Sequence, residues 1–271
     1  MLPGFLLALR EGIEAALVVG LLLSVLRRVR RQDCMASVGL GVLAGVAASV
    51  AAALILRAIG WNLEAPAEAI FEGAASWIAA GLLTGTIFWL RGQSGGMQTA
   101  LKTEIENALG SGRGAVFTVA FVAVAREGIE LAIFLIGASG GTDAVQTLAG
   151  ACAGLGVAAL AGGMLFVTSL RFNLRHFFQG SNALLLLVAA GLVAKGVGEF
   201  SEAGWITPIV DPLWNTTAWL PETSAWGAML KSLFGYNSTP SFTQALAYAA
   251  FLVGVGLTLR HSMRPVRAGA R

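Results

Sequence analysis

The chain has 271 residues, of which 56% are hydrophobic and only 12% are charged, and its mean hydropathy is +0.75. Because soluble domains carry about 25% charged residues, this composition excludes an ordinary soluble domain and indicates a membrane protein. The net charge of +3 comes from short basic clusters between apolar runs, which is not the pattern of a nucleic-acid-binding protein. The two cysteines, Cys34 and Cys152, have no CxxC spacing and predict neither a disulfide framework nor a soft-metal site.

The apolar residues fall into separate runs long enough to cross a hydrocarbon core as helices, which takes about 18 residues or more. The predicted helices, in chain order, are 3–26, 37–59, 66–90, 115–138, 145–170, 179–200 and 242–259. They predict an all-α membrane protein of seven transmembrane helices. A single transmembrane domain, residues 1–260, is followed by a basic tail, residues 261–271.

Basic residues in the connections predict which side of the membrane each connection faces, because cytoplasmic loops are enriched in Lys and Arg. The first, third and fifth connections and the tail hold Arg27, Arg28, Arg30, Arg31, then Arg91, Lys102, Arg113, then Arg171, Arg175, His176, and finally Arg260, Arg264, Arg267 and Arg271. The alternate connections hold only Arg57 and Lys231. This pattern predicts a multi-pass protein of the bacterial inner (plasma) membrane with its N-terminus outside and its C-terminus in the cytoplasm.

The one long connection, residues 201–241, is predicted to be external. It is rich in Trp and Pro, and aromatic residues favour the boundary between membrane and water. We expect it to lie along the outer surface as short helices and turns.

One five-residue motif, Arg-Glu-Gly-Ile-Glu, occurs twice, at 10–14 in the first predicted helix and at 126–130 in the fourth. A weaker echo joins Ala-Ala-Gly-Leu at 79–82 to the same letters at 189–192. Helices one to three (3–90) therefore look like a repeat of helices four to six (115–200), with 242–259 as an additional helix. Three is an odd number of spans, so the second copy must be inverted, which predicts a substrate site near the midplane between the halves.

Each motif places two carboxylates three residues apart, on one helix face with their Cβ atoms ~5–6 Å apart. The candidate metal ligands are Glu11, Glu14, Glu127 and Glu130. Depth along the inverted helices predicts Glu11 beside Glu130 and Glu14 beside Glu127. A charged group at mid-membrane costs ~2.5–3.5 kcal/mol on the insertion scale, so we expect these groups to face the bundle interior, with Arg10 and Arg126 paired to carboxylates or backbone carbonyls. Carboxylate oxygens favour hard cations over copper(I) or zinc.

The repeated motif, on the first and fourth of seven predicted helices, resembles the iron permease family of high-affinity, oxidase-dependent iron uptake. The resemblance implies that iron is the transported substrate, without a cofactor, and that the residues essential for its passage are Arg10, Glu11, Glu14, Arg126, Glu127 and Glu130. It also implies ferric iron, supplied by a ferroxidase or a periplasmic iron-binding protein. Fungal members carry a further acidic motif in the last external loop, where this chain has only the scattered acids Glu202, Asp211 and Glu222.

Two secondary groups of charges lie near the predicted outer surface. Glu64, Glu68 and Glu72 share one face at the start of the third helix, and we interpret Glu68 and Glu72 as further metal ligands that hand a cation inward. A solvated helix start explains Glu64 and Glu68 equally well. Lys195 and Glu199 are spaced as an ordinary salt bridge, although a lysine facing the pathway could instead neutralise a carboxylate when the cation leaves.

Other functions remain open from the sequence. The same carboxylates could couple protons or sodium to the transport of another cation or solute. They could also form a buried Arg–Glu network that holds the helices together in a membrane enzyme or scaffold. The sequence contains no recognisable nucleophile, phosphate loop or His/Cys catalytic grouping, so we expect a transporter and not an enzyme.

Overall fold

The computed structural model describes residues 2–92, 112–139, 144–168 and 174–262. These residues form eight helices and no strand, a result that confirms the predicted all-α class. The helices are α1 (Leu2–Arg28), α2 (Met35–Trp61), α3 (Ala67–Gly92), α4 (Arg113–Ser139), α5 (Ala144–Thr168), α6 (Leu174–Glu202), α7 (Ala225–Phe234) and α8 (Phe242–Ser262). Lys102, Arg171 and residues 263–271, which entered the orientation argument, lie outside the described residues.

All seven predicted segments are helical, and most of their ends are shifted by three residues or fewer. The largest difference is at α6, which begins at Leu174 and not at 179. The helix also continues to Glu202, so the segment predicted to be external begins at 203 and not at 201. Helix form is expected for such apolar runs, because a helix satisfies its backbone hydrogen bonds internally where no water is available.

Five of the described helices are long and apolar enough to cross a membrane: Met35–Gly60, Ala67–Phe88, Val145–Met164, Asn182–Glu202 and Phe242–Arg260. The chain is therefore a multi-pass membrane protein. The two other long helices, α1 and α4, have 27 residues each and carry the two charged motifs. Length and composition thus support five of the seven predicted spans, and the seven-span topology stays a prediction.

The helices of the two predicted repeats pack crosswise. The first helix of each half packs on the second helix of the other half, α1 on α5 and α4 on α2. The centre is formed by α1 against α4 and by α3 against α6, with α4 also touching α3. The last long helix, α8, packs on the outside of α6. Close contacts between α1 and α5 rise together in residue number, from Gly4 at Thr147 to Gly12 at Ala158, so these two helices are parallel.

Gly45 of α2 lets that helix approach the backbone of α4. A Cβ at this position would meet the Cβ of Val124 at 2.9 Å, the carbonyl oxygen of Phe121 at 3.0 Å and the amide nitrogen of Ala125 at 3.1 Å. Small residues at such crossings are typical of helix packing in membranes. A larger side chain at this position would push α2 away from α4.

Gly154 of α5 makes the corresponding contact with α1. A Cβ there would meet the Cβ of Ala8 at 3.1 Å, the amide nitrogen of Leu9 at 2.9 Å and the carbonyl oxygen of Phe5. Phe5, Ala8 and Leu9 lie 116 positions before Phe121, Val124 and Ala125, the residues that Gly45 contacts in α4. The two motifs are separated by the same 116 positions. The two crosswise helix pairs therefore have equivalent interfaces.

The connection between α6 and α8 is ordered by its own hydrogen bonds. The amide of Leu213 donates to the carbonyl of Pro240 at 2.7 Å, and the amide of Thr216 donates to that of Ser238 at 2.9 Å. The short helix α7 begins after Ser224, whose hydroxyl accepts the amide of Gly227. It ends at Gly235, which has a φ of 67° that favours glycine. The predicted short helices and turns are thus present as one helix and several turns.

Candidate metal site

The acidic residues of both motifs converge between α1 and α4. One carboxylate oxygen from each of Glu11, Glu14 and Glu127 lies within 4.8 Å of the other two. A cation bound about 2.0–2.6 Å from each oxygen would hold opposite ligands about 4–5 Å apart. The three side chains therefore already have a spacing that suits one shared cation.

Glu130 lies beside this group and outside it. It interacts electrostatically with Glu11, Glu14 and Glu127, so the four carboxylates form one charged cluster. The predicted proximity of Glu14 and Glu127 is found. Glu11 belongs with Glu14 and Glu127 in the group of three and also interacts electrostatically with Glu130, so the pairing of Glu11 with Glu130 stays a prediction.

The arginine of the first motif is buried together with Glu11, and the Glu14 side chain beside it is 16% exposed. Arg10 forms ion pairs with Glu11 and with Glu14, the latter at 2.9 Å between Nη2 and Oε1. The Arg10 side chain is only 1% exposed. Even so, Glu11 Oε2 and Glu14 Oε1 have no hydrogen-bond partner, because the contact between Arg10 and Glu14 is a close charge contact without hydrogen-bond angles.

These two oxygens fit a cation. A buried polar atom without a partner costs about 1–3 kcal/mol, and more when the group is charged. A buried guanidinium carries one positive charge, so a pair of carboxylates bound to it keeps one net negative charge. The carboxylates of Glu11 and Glu14, with Glu11 Oε2 lacking a hydrogen-bond partner, are thus where a positively charged substrate would be stabilised most.

The arginine of the second motif has the same partners in a different environment. Arg126 Nε lies 3.0 Å from Glu130 Oε1 and 3.9 Å from Glu127 Oε1. Its side chain is 53% exposed, whereas Arg10 is buried. The two motifs are therefore identical in sequence, but their arginines differ in burial. The expected pairing of each arginine with carboxylates is found in both motifs.

The glycine inside each motif is a packing residue. A Cβ on Gly12 would lie 2.6 Å from the Cβ of Ala158 in α5, and a Cβ on Gly128 would overlap Ser49 of α2. The close neighbour of the glycine is thus, in both motifs, the second helix of the other half. This contact sets how each pair of glutamates faces the centre.

A second charged cluster connects α3 with α6. Lys195 Nζ lies 3.3 Å from Glu72 Oε2 and 3.9 Å from Glu199 Oε1. The i, i+4 spacing predicted only the pair of Lys195 with Glu199. That pair has the longer of the two distances. Linear spacing carried no signal for the pair with Glu72, which lies 123 residues away in the chain. Glu68 is exposed at the start of α3 and is not part of this cluster.

Residues 1–265 match the Iron permease FTR1 family. The chain is 33% identical over 256 residues to a ferrous iron permease EfeU of Yersinia pestis, an alignment that covers 93% of this chain and 91% of the relative. It is 32% identical over 273 residues to proteins of the same name from Escherichia coli O6:K15:H31 (strain 536 / UPEC) and Shigella sonnei, with 100% of this chain and 98% of each relative covered.

No solved structure matches the chain. The family match nevertheless spans nearly the whole chain. The relatives, which are named permeases, also align with it over nearly their whole length. These matches support a transporter whose substrate is iron and not an enzyme. The chain belongs to the iron permease FTR1 family.

Proposed function

We propose that this iron permease carries iron through a central site made by Glu11, Glu14, Glu127 and Glu130. The observation that carries the proposal is the convergence of three carboxylates from two helices within 4.8 Å, with Glu11 Oε2 buried and without a hydrogen-bond partner. An ion stripped of part of its water needs oxygen ligands in return, and hard cations take them from carboxylates. The arginines limit the repulsion of the empty site, and the excess of acids over arginines leaves it attractive to a cation.

The proposed topology has seven spans, an external N-terminus and a cytoplasmic C-terminus in the bacterial inner membrane. The inverted repeats are 3–90 and 115–200, followed by the external segment, the helix 242–259 and the tail 261–271. The basic clusters support this orientation. The equivalent interfaces made by Gly45 and Gly154 support the repeat, because inverted halves place like contacts on opposite sides of the site.

Iron would approach from the outer end of the bundle, which in this topology holds the start of α3 and the end of α6. Glu72 lies there, half-buried and paired with Lys195, and would be the first ligand inside the membrane. Glu68 is exposed, so its part would be to attract the cation to the surface. A periplasmic ferroxidase or iron-binding protein would deliver the metal to this end.

We propose ferric iron as the transported form, because an all-oxygen site favours the harder ion. The relatives are named for ferrous iron. Uptake of radioactive iron into proteoliposomes separates the two forms. Higher initial rates with ferric citrate than with ferrous iron kept reduced by ascorbate would support ferric transport, and the opposite order would assign ferrous iron to this chain as well.

The central site is tested with Glu14→Gln and Glu127→Gln, which keep the size of the side chains and remove their charge. We expect each variant to reconstitute normally and to lose at least about 90% of iron uptake, about 1.4 kcal/mol or more in the barrier to passage. Glu202→Gln, an exposed position at the end of α6, is the matched control and should transport normally. Normal uptake by both central variants would exclude this site. Uptake of another solute driven by a proton or sodium gradient without iron would favour a coupled carrier instead.

A further inference from the structure

Three oxygen atoms from three helices surround one ammonium group near the end of α6. Lys195 Nζ lies 3.0 Å from the carbonyl oxygen of Gly137 in α4, 3.3 Å from Glu72 Oε2 in α3 and 3.9 Å from Glu199 Oε1 in its own helix. The set consists of two carboxylates and one carbonyl. Oxygen ligands of this kind are the ones that hard metal cations take from proteins.

The carbonyl of Gly137 is available because of its place in the helix. α4 ends at Ser139, and the last four carbonyls of a helix have no partner within it. They also carry the negative end of the helix dipole. Gly137 O accepts hydrogen bonds from Lys195 and from Ser76 Oγ, the latter at 3.2 Å. A cation is thus favoured at this point by two carboxylates and by a helix C-terminus.

The cluster lies in line with the central site and separate from it. Gly137 is seven residues beyond Glu130 in α4, which corresponds to a rise of about 10 Å. The group lies below the surface with partial access from outside. Its side chains are 20% exposed for Lys195, 30% for Glu72 and 17% for Glu199. An ion on its way from Glu68 to the central carboxylates would meet this cluster first.

We propose that Glu72, Glu199 and the Gly137 carbonyl form an outer cation site, which Lys195 occupies in the metal-free protein and from which an incoming iron ion displaces it. The inference rests on the proposed route and adds a second site to it. A tethered ammonium competes with any cation that arrives. Two carboxylates attract a divalent or trivalent ion about two or three times as strongly as a monovalent one at equal distance, so sodium and potassium would not displace the lysine.

The lysine also prevents the outer site from becoming a trap. Without it, two carboxylates and a helix C-terminus would hold a multivalent ion with nothing to replace it when it moves inward. The returning ammonium supplies that replacement charge. A mere α3–α6 ion pair would stabilise the fold and would have no effect on the affinity for iron.

The test uses Lys195→Met and Lys195→Gln, of which the second keeps hydrogen-bond donors for Gly137 and Glu72. Iron uptake by proteoliposomes gives KM and maximal rate, and thermal melting in detergent reports folding. We expect both variants to lower KM for iron at least about fivefold and to lower the maximal rate, because the ion binds the outer site and leaves slowly. Adding Glu72→Gln should return KM to the wild-type value or above.

Lys231→Met is the matched control, because it removes a lysine–glutamate pair with Glu222 in the external segment and should leave KM unchanged. Binding of ferric iron, added as its citrate, to the purified Glu14→Gln/Glu127→Gln protein isolates the outer site, where adding Lys195→Gln should tighten binding at least about fivefold. Unchanged KM and unchanged binding in the lysine variants would overturn the outer site. That outcome is distinct from failure of the central site, which is judged by Glu14→Gln and Glu127→Gln alone.

Discussion

Gly12 and Ala158 lie so close across the α1–α5 contact that a Cβ on the glycine would be 2.6 Å from the Cβ of the alanine. The glycine is the central residue of the first motif, so the same contact that packs the two helices also holds Glu11 and Glu14 in place. Gly128 has the corresponding relationship with Ser49 in α2. Helix packing and site geometry are therefore coupled in both halves.

Gly12→Ala should separate α1 from α5 and move the glutamates, since overpacking costs about 1–3 kcal/mol. We expect a lower melting temperature and reduced iron uptake. The double variant Gly12→Ala/Ala158→Gly should restore both, because the removed methyl makes room for the added one. Gly20→Ala in the same helix, where a Cβ would have no neighbour within 4 Å, is the control. Equal behaviour of Gly12→Ala and Gly20→Ala would refute the coupling.

The two motif arginines should differ in their contribution to stability. Arg10→Met leaves two buried carboxylates without their counter-charge, and removing one partner of a buried pair costs about 3–5 kcal/mol. The Arg126 side chain is 53% exposed, so Arg126→Met is expected to lower the melting temperature less than Arg10→Met does. Melting of the two variants in detergent measures the difference. If Arg126→Met melts as low as Arg10→Met, the inequality in burial has no energetic consequence.

The connection between α6 and α8 should loosen in acid because of Glu222. Burial favours the neutral acid, but hydrogen bonds from Lys231 and from the amide and hydroxyl of Ser238 outweigh it, so that the pKa of Glu222 is lowered from its ordinary value of 4.5. A pKa that is lower in the folded state gives stability that is complete above the ordinary value and is lost as the pH falls through the folded value.

Hydrogen exchange of the Ser238 amide, which donates to Glu222 Oε1 at 2.9 Å, is the measurement. Protection in the wild type should exceed that in Glu222→Gln at about pH 7, and the excess should vanish as the pH falls through the lowered pKa of Glu222 and the carboxylate becomes protonated. A constant difference across this range would show that the charge of Glu222 does not hold the segment.

The proposed orientation is tested with single cysteines in a Cys34→Ser/Cys152→Ser background. Thr223 and Arg30 are both exposed and lie on opposite sides in the proposed topology. A membrane-impermeant maleimide added to intact spheroplasts should label Thr223→Cys at least about tenfold faster than Arg30→Cys. Permeabilised cells, in which both label, are the control. The reverse order of labelling would invert the topology.

Much of the helical fold follows from local sequence. Apolar runs of membrane length must form helices because their backbone groups have no other partner in lipid, and for this reason all seven segments were predicted. The boundaries were least certain where apolar and polar residues mix, as at α6, which begins five residues before the predicted start. The two motifs identified the glutamates, because charge at mid-membrane is costly enough to be informative.

The sequence by itself therefore determined the class of the protein, its helices and the identity of the charged residues in its centre. Only the tertiary structure decided which of them meet. Glu127 joins Glu11 and Glu14 while Glu130 stays aside, and Lys195 reaches Glu72 as well as Glu199. The physical reason is that helix periodicity fixes neighbours within one helix. Contacts between helices depend on how closely each pair can approach, which glycines such as Gly12 and Gly128 set through partners far away in the chain.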